Sequence, residues 1–321
     1  MVSPIRRAPA SLPWRHALLA LAVVAVWGSN FVVIKVAMRE LPPLLLAALR
    51  FVFAFVPAAI VVRRPTAPWR DLAAYGMLIG AGQFGLLYIA MDGHISPGLA
   101  SLVVQTQVVF TIGFSMRLSG ERVAPFQLFA LVVAAIGVAA IAAHAGPGNT
   151  PVGLALALGA ALCWAGGNMV ARRSPGADML SYVVWASLFS FPPLLILSLV
   201  FEGWPAMVGS LRHTDAWTWA AVAWQSFANT LFGYAAWGWL LARHPAATVA
   251  PVSLLVPVFG IAASAWILAE PLPAWKIAAA ALVLSGLALN LLWPRLRPSS
   301  PRRSRRAEPD RPDNPDRSAR D

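Results

Sequence analysis

The sequence predicts an all-α membrane protein with ten transmembrane helices, arranged as two inverted five-helix repeats. Three observations predict it. The 321 residues are 59% hydrophobic and only 12% charged, with a mean hydropathy of +0.67, which is more apolar surface than one soluble core can bury. The apolar residues fall into ten runs, each near the ~20 residues that cross a bilayer as a helix. And the order of marker residues recurs between the two halves of the chain. The runs are continuous rather than alternating, so a β-barrel is excluded.

The runs lie at roughly 17–38, 44–62, 72–91, 97–117, 124–143, 151–171, 180–201, 216–241, 246–268 and 273–293, separated by short breaks containing Pro, Gly or charge. The first follows the basic residues Arg6, Arg7 and Arg15 and carries Lys35. Its length of about 22 residues and its lack of a small-residue cleavage pattern make it a retained signal anchor. The second holds Arg50, the third ends at Asp92, and the fourth holds Ser101, Gln105 and Gln107. Glu121 opens the fifth and Glu270 the tenth, where a carboxylate suits the free amides and dipole of a helix start. Residues 1–16 form a cytoplasmic N-terminus, 17–143 the first repeat, 144–150 a linker and 151–293 the second repeat. The tail from 294 to 321 is rich in Pro, Arg, Ser and Asp, without apolar periodicity, and reads as disordered and cytoplasmic.

Loop charge sets the orientation. With the N-terminus in the cytoplasm, the inner side collects Arg6, Arg7, Arg15, Arg63, Arg64, Arg70, Arg117, Arg122, Arg172, Arg173, Arg243 and the arginines of the tail. The outer side collects only Arg39, Arg212 and Lys276. This positive-inside bias places both termini in the cytoplasm and requires an even helix count. The net charge of +12 is thus a topology and lipid-surface signal; it is spread over short loops and does not point to nucleic acid.

Segment 97–142 aligns with 246–291 at a constant offset of 149, pairing Glu121 with Glu270, Gly137 with Gly286, and Val109-Phe110 with Val258-Phe259. Upstream, Trp27 matches Trp164, each followed eight residues on by a cation, Lys35 or Arg172, and Pro57 matches Pro192. Five helices per half is an odd number, so the halves enter the membrane from opposite sides. Secondary transporters recurrently use this plan, with the substrate site near the midplane.

Polar residues at membrane depth are costly and mark pathways. On the first helix Trp27, Asn30, Phe31, Ile34 and Lys35 fall within an arc of ~140°. Trp164 and Asn168 repeat that face on the sixth helix, and Gln225 and Asn229 share a face of the eighth. On the fourth, Gln105 shares a face with Ser101, whereas Gln107 points ~200° away and suits an interhelical bond. Trp27, Asn30, Lys35, Arg50, Gln105, Trp164, Asn168, Gln225 and Asn229 are therefore the expected lining of a substrate site. Lys35 and Arg50 would give its outer half a positive potential; the competing readings are a snorkelling lysine and an Arg50 paired with Glu40 or a carbonyl. Asp92, Glu121 and Glu270 are the candidates for gating or coupling.

The segments WGSNFVVIK, PPLLLAALRF, PGLASLVVQTQ, GER, WAGGN, APVSLLVPVFG and AEPL, in this order, resemble the EamA family of the drug/metabolite transporter superfamily. They are most similar to the bacterial exporters of cysteine and O-acetylserine. The resemblance covers about residues 17–293 and implies a multi-pass exporter of small metabolites in the bacterial inner membrane, without a cofactor. AEPL lacks the basic residue that the family often carries after the Glu.

Other classes fit less well. The single cysteine, Cys163, excludes a disulfide frame and a cysteine zinc site. The five histidines lie at helix ends or in loops, without the His–carboxylate cluster that a membrane-embedded enzyme or a metal site needs. No phosphate-binding loop of the G-x-x-x-x-G-K-[ST] type is present. The rival within transport is a broad drug exporter, whose cavity would be lined by Trp and Phe.

Overall fold

The computed structural model describes residues 12–119, 125–144, 146–244 and 246–296. It is helical throughout, with only isolated bridges, Ile95 to Asn149 and Gly146 to Asn149, among the described residues. The first three long helices are α1 (Trp14–Ala37), α2 (Pro43–Val61, interrupted near Pro57) and α3 (Trp69–Met91). Then come α4 (97–119), α5 (Pro125–Ala143), α6 (Pro151–Ala171) and α7 (Met179–Phe201). A short amphipathic helix, Trp204–His213, lies before α8 (216–243), α9 (246–267) and α10 (Ala274–Leu296). Seven of these helices are long and apolar enough to cross a membrane, and Leu128–Ala143 and Ala274–Leu289 are shorter apolar stretches. The outward faces of α2, α8 and α9 carry Ile60, Trp217 and Trp266, each more than 80% exposed, as a lipid-facing surface requires.

Local chemistry starts each helix. Proline stands at the first turn of α2, α4 and α6 (Pro43, Pro97, Pro151), where its missing N–H costs nothing. The Thr150 side chain accepts from Gly153 N at 3.0 Å, Asp178 from Ser181 N at 2.8 Å and Asp215 from Thr218 N at 2.7 Å, capping α6, α7 and α8. The start of α2 is capped from across the bundle: Glu202, after the end of α7, accepts from Leu44 N at 2.6 Å and Leu45 N at 3.1 Å.

Besides the break in α2, four helices depart from regular α geometry. The middle of α3 (Met77–Gly85) and of α8 (Trp224–Phe232) is π-helical. In α4 a 3₁₀ turn spans Val104–Thr106, and in α9 another spans Ala250–Leu255.

The packing is mutual. α1 lies against α8 and α9, and α6 lies against α3 and α4; α2 packs on α7, and α5 on α10. Two glycines let α5 and α10 meet closely. A Cβ on Gly137 would come within 2.6 Å of Val283 Cγ2 and 2.9 Å of Ala279 O; one on Gly286 would come within 2.6 Å of Ala130 O and 2.7 Å of Ala134 N. Adding the 149-residue offset to Gly137, Ala130 and Ala134 gives Gly286, Ala279 and Val283, so the two contacts are the same contact read from each side. At one end of the bundle His16 Nδ1 and His244 Nε2 join α1 to α8 at 2.7 Å.

The sequence expectation is corrected at two points. The amphipathic helix at 204–213 was not anticipated, because it is too short and too polar to register as a run. The tenth helix begins at Ala274, so Glu270 does not open it.

Candidate functional site

The site is built on Arg50, at the eighth position of α2 and 1% exposed. Its Nη2 donates to Asn229 Oδ1 at 2.8 Å and to Thr230 Oγ1 at 3.1 Å, and its Nε donates to Thr230 Oγ1 at 3.2 Å. The guanidinium carbon stands 3.8 Å from the centroid of Phe84 on α3. No carboxylate among the described residues pairs with it, and its Nη1 is buried without a hydrogen-bond partner. Glu40, its partner in the competing reading, instead accepts from Asp215 N at 2.9 Å. A permanently charged group held this way is costly.

The π segment of α8 shapes the surroundings. Its wider turn lets Thr230 Oγ1 donate to Gln225 O, five residues back, at 2.8 Å while presenting Asn229 and Thr230 to Arg50. Gln225, fully buried, accepts from the Tyr88 hydroxyl on α3, and Trp27 Nε1 on α1 donates to Asn229 O at 3.0 Å. Arg50, Asn229, Gln225 and Trp27 are thus brought together, on α2, α8 and α1. Next to Arg50 lies an internal void of about 10 Å³, lined among others by Tyr75, Phe84, Ser187, Thr230 and Tyr234. That is room for at most one water.

The other expected residues lie elsewhere. Lys35 donates to Met91 O at 2.8 Å and lines a separate open cleft of about 410 Å³ with Arg39, Ser96 and Glu270. Lys35 and Arg50 therefore line different cavities. Asn30 is buried, with Oδ1 unpartnered. Asn168 donates to Gln107 Oε1 at 3.0 Å, so the interhelical bond expected of Gln107 takes up Asn168 as well. The three amides of α1, α6 and α8 do not share a hydrogen-bond network. Gln105 Nε2 donates to Ser253 O at 3.4 Å, tying α4 to α9. Trp164 is half-buried and packs on the core, and Asp92 is exposed at the end of α3. Glu121 lies outside the described residues.

Glu270 has a different role from the one its position suggested. Preceded by Ala269 in left-handed backbone (φ 52°), it sits in the turn between α9 and α10. It accepts from Gly98 N at the start of α4 at 3.2 Å, from the Ser264 hydroxyl on α9, and from Lys276 Nζ on α10 at 2.5 Å. Burial would raise its pKa, but the hydrogen bonds from Lys276, Ser264 and Ser96, with the Lys276 charge, hold it below the ordinary value.

Sequence reasoning missed Tyr75, Tyr88, Thr230, Tyr234 and Glu202. A signal for some was present: all four tyrosines of the chain fall within apolar runs, where an aromatic with a polar tip needs an internal partner.

Comparison with known proteins agrees with this architecture. The sequence profile of the EamA-like transporter family matches residues 14–143 and again 151–292. A protein named "Probable amino-acid metabolite efflux pump" from Salmonella typhimurium (strain LT2) is 40% identical over 289 residues, covering 88% of this chain and 97% of that protein. One of the same name from Escherichia coli (strain K12) is 38% identical over the same length. A solved structure, described only as "Crystal structure of protein", aligns with a TM-score of 0.60 over 89% of this chain and 99% of its own at 20% identity, a likeness of fold. The chain belongs to the EamA-like transporter family and is a multi-pass membrane transporter.

Proposed function

We propose that the chain is a secondary exporter of small amino-acid metabolites in the bacterial inner membrane, with cysteine- or O-acetylserine-like molecules as cargo and both termini cytoplasmic. Arg50 carries this reading: it is a buried cation with no carboxylate partner and a free Nη1 beside a void in the bundle. Such a group is retained at its energetic cost where a substrate carboxylate completes it. The names of the two similar pumps support efflux and the class of cargo.

Alternating access follows from two inverted repeats, residues 17–143 and 151–293, with ten spans. The exchanged packing supports this: α1 on α8 and α9 is matched by α6 on α3 and α4, while α2–α7 and α5–α10 pair with each other. So do the double match of the family profile and the reciprocal Gly137 and Gly286 contacts. In this reading the Lys35 cleft is the outer mouth of the path and Glu270 part of its gate.

The test is counterflow in proteoliposomes with a panel of amino acids, their O-acyl derivatives and cationic dyes. Uptake driven by amino-acid derivatives alone is expected. Uptake driven by dyes and not by amino acids would replace this reading with a broad drug exporter.

A further inference from the structure

Arg50 provides for one end of an amino acid and leaves the other end without an obvious partner. The ammonium group lies two bonds from the carboxyl carbon, so it must fall in the same void as the carboxylate. No Asp or Glu lines that void. None of the acids on the surrounding helices lines it: Glu202 caps α2, Asp178 caps α7 and Asp215 caps α8, and the buried Asp71 stands outside its wall. The hydroxyls in the wall are spent as donors. Ser187 Oγ donates to Val183 O at 2.8 Å, Ser190 Oγ to Gly76 O at 3.0 Å, and Thr230 Oγ1 to Gln225 O while accepting from Arg50. Their lone pairs can still accept, but the broadest electron-rich surfaces in the wall are the aromatic faces.

We propose that the ring faces of Tyr75 and Tyr234 hold the substrate ammonium while Arg50 Nη1 holds its carboxylate. The inference rests on the exporter reading above and extends it to how a zwitterion is recognised by a site with no anion. An electron-rich ring face attracts an ammonium group, and most strongly when both are out of water. Tyr75, on α3, is 3% exposed, and Tyr234, on α8, is half-buried; their hydroxyls neighbour each other and both side chains line the void with Arg50. Each ring is held by a second aromatic. Tyr182 stands edge-on to Tyr75 at 5.1 Å, and Trp27 lies 5.7 Å from Tyr234 while fixed by its own bond to Asn229 O. The void is too small for a substrate as it stands, so the helices that line it must separate to admit one.

The experiment compares L-cysteine with 3-mercaptolactate, which replaces only the ammonium with a hydroxyl, as competing substrates in counterflow. The wild-type chain is expected to favour cysteine about thirtyfold, the worth of a desolvated cation–π contact. Tyr234→Phe and Tyr75→Phe keep a ring and should keep the ratio; Tyr234→Leu and Tyr75→Leu should bring it to about one by losing cysteine transport alone. Mercaptolactate transport in the same vesicles reports that a Leu variant is folded. Where it is not, phenylalanines of increasing fluorination at position 234 drain the ring face at nearly constant size, and the KM for cysteine alone should rise stepwise. A ratio unchanged in the Leu variants, or insensitive to fluorination, overturns the proposal; a ratio lost in the Phe variants assigns the ammonium to the hydroxyls and also overturns it. Failure of the exporter reading looks different: neither compound is carried, or Arg50→Gln leaves both unaffected.

Discussion

Replacing Lys276 with methionine isolates the anchor between α4, α9 and α10. Lys276 Nζ lies 2.5 Å from Glu270 Oε1, with the two side chains 6% and 10% exposed. At an effective dielectric of 20 the attraction is ~7 kcal/mol, most of which offsets desolvation of the two charges. Lys276→Met removes the attraction and leaves the carboxylate buried, a change that typically costs ~3–5 kcal/mol. The Gly98 amide and the Ser264 hydroxyl still serve Glu270, which sets the loss near the lower end. A loss of ~3 kcal/mol corresponds to ~6–12 °C in unfolding midpoint, on the scale of soluble domains of 150–250 residues. Adding Glu270→Gln removes the orphan charge and keeps an acceptor for Gly98 N, so the double variant should recover most of the loss. Thermal unfolding in detergent at pH 7.5, followed by tryptophan fluorescence, reads all four proteins. A single variant as stable as wild type, or a double variant no better than the single, would refute this account. The pH dependence has a definite sign. Glu270 is held below its ordinary pKa, so its stabilisation is present above the usual glutamate range and disappears as pH falls through the lower folded value. The gap between wild type and Glu270→Gln should stay constant from neutral pH down to the ordinary glutamate range and close only in stronger acid.

On the exporter reading proposed above, Arg50→Gln should reduce cysteine counterflow at least tenfold at equal membrane-inserted protein, and Arg50→Lys should not rescue it, because an ammonium cannot bridge Asn229, Thr230 and a carboxylate at once. Gly137→Val places a Cβ 2.6 Å from Val283 Cγ2 and should lower stability by ~1–3 kcal/mol, with Gly286→Val matching it within error in the same thermal assay. Glu202→Ala leaves the Leu44 and Leu45 amides without their acceptor and should cost ~1–3 kcal/mol, while Glu202→Gln, which keeps an oxygen, costs less.

The bilayer makes the helices of this protein easy to read from sequence, because each run must satisfy its backbone internally and end where the hydrocarbon ends. Hence Pro151–Ala171 and Met179–Phe201 differ from their runs by no more than a residue. The polar residues were legible in kind but less so in partner. Gln225 and Asn229 share the site as their spacing suggested, but Arg50 reaches them by crossing from α2 to α8, a pairing no local pattern encodes. Lys35 and Arg50 looked like one field because they are neighbours in sequence order; Lys35 instead turns to the carbonyl at the end of α3. Glu270 looked like a helix cap and is one, but for α4, 172 residues away in sequence. Caps and counter-charges supplied across the bundle depend on the packing of distant helices, and composition does not reveal them.

The irregular turns show what joins the packing to the chemistry. The π segments of α3 and α8 begin at residues 77 and 224, and the 3₁₀ turns of α4 and α9 occur where the 149-residue offset places one against the other. A regular helix would have fixed the side chains there at 100° per residue. The π turn of α8 sets Asn229 and Thr230 side by side against Arg50, and that of α3 brings Gly80 and Gly82 against Ser190 and Cys163, closing the wall on which Phe84 stands. Such turns are also where a helix changes register at low cost, since the i→i+5 bond trades for i→i+4 without breaking the rod. On the proposed reading, a site made by α2, α3, α7 and α8 opens by rewinding α3 or α8 while the α5–α10 pair, joined by its reciprocal glycine contacts, stays still. Spin labels on α5 and α10 should accordingly keep a fixed separation when cysteine is added, whereas labels on α3 and α7 should move apart. Equal displacement of both pairs would mean that the halves rock as rigid bodies and that the irregular turns serve only to shape the site.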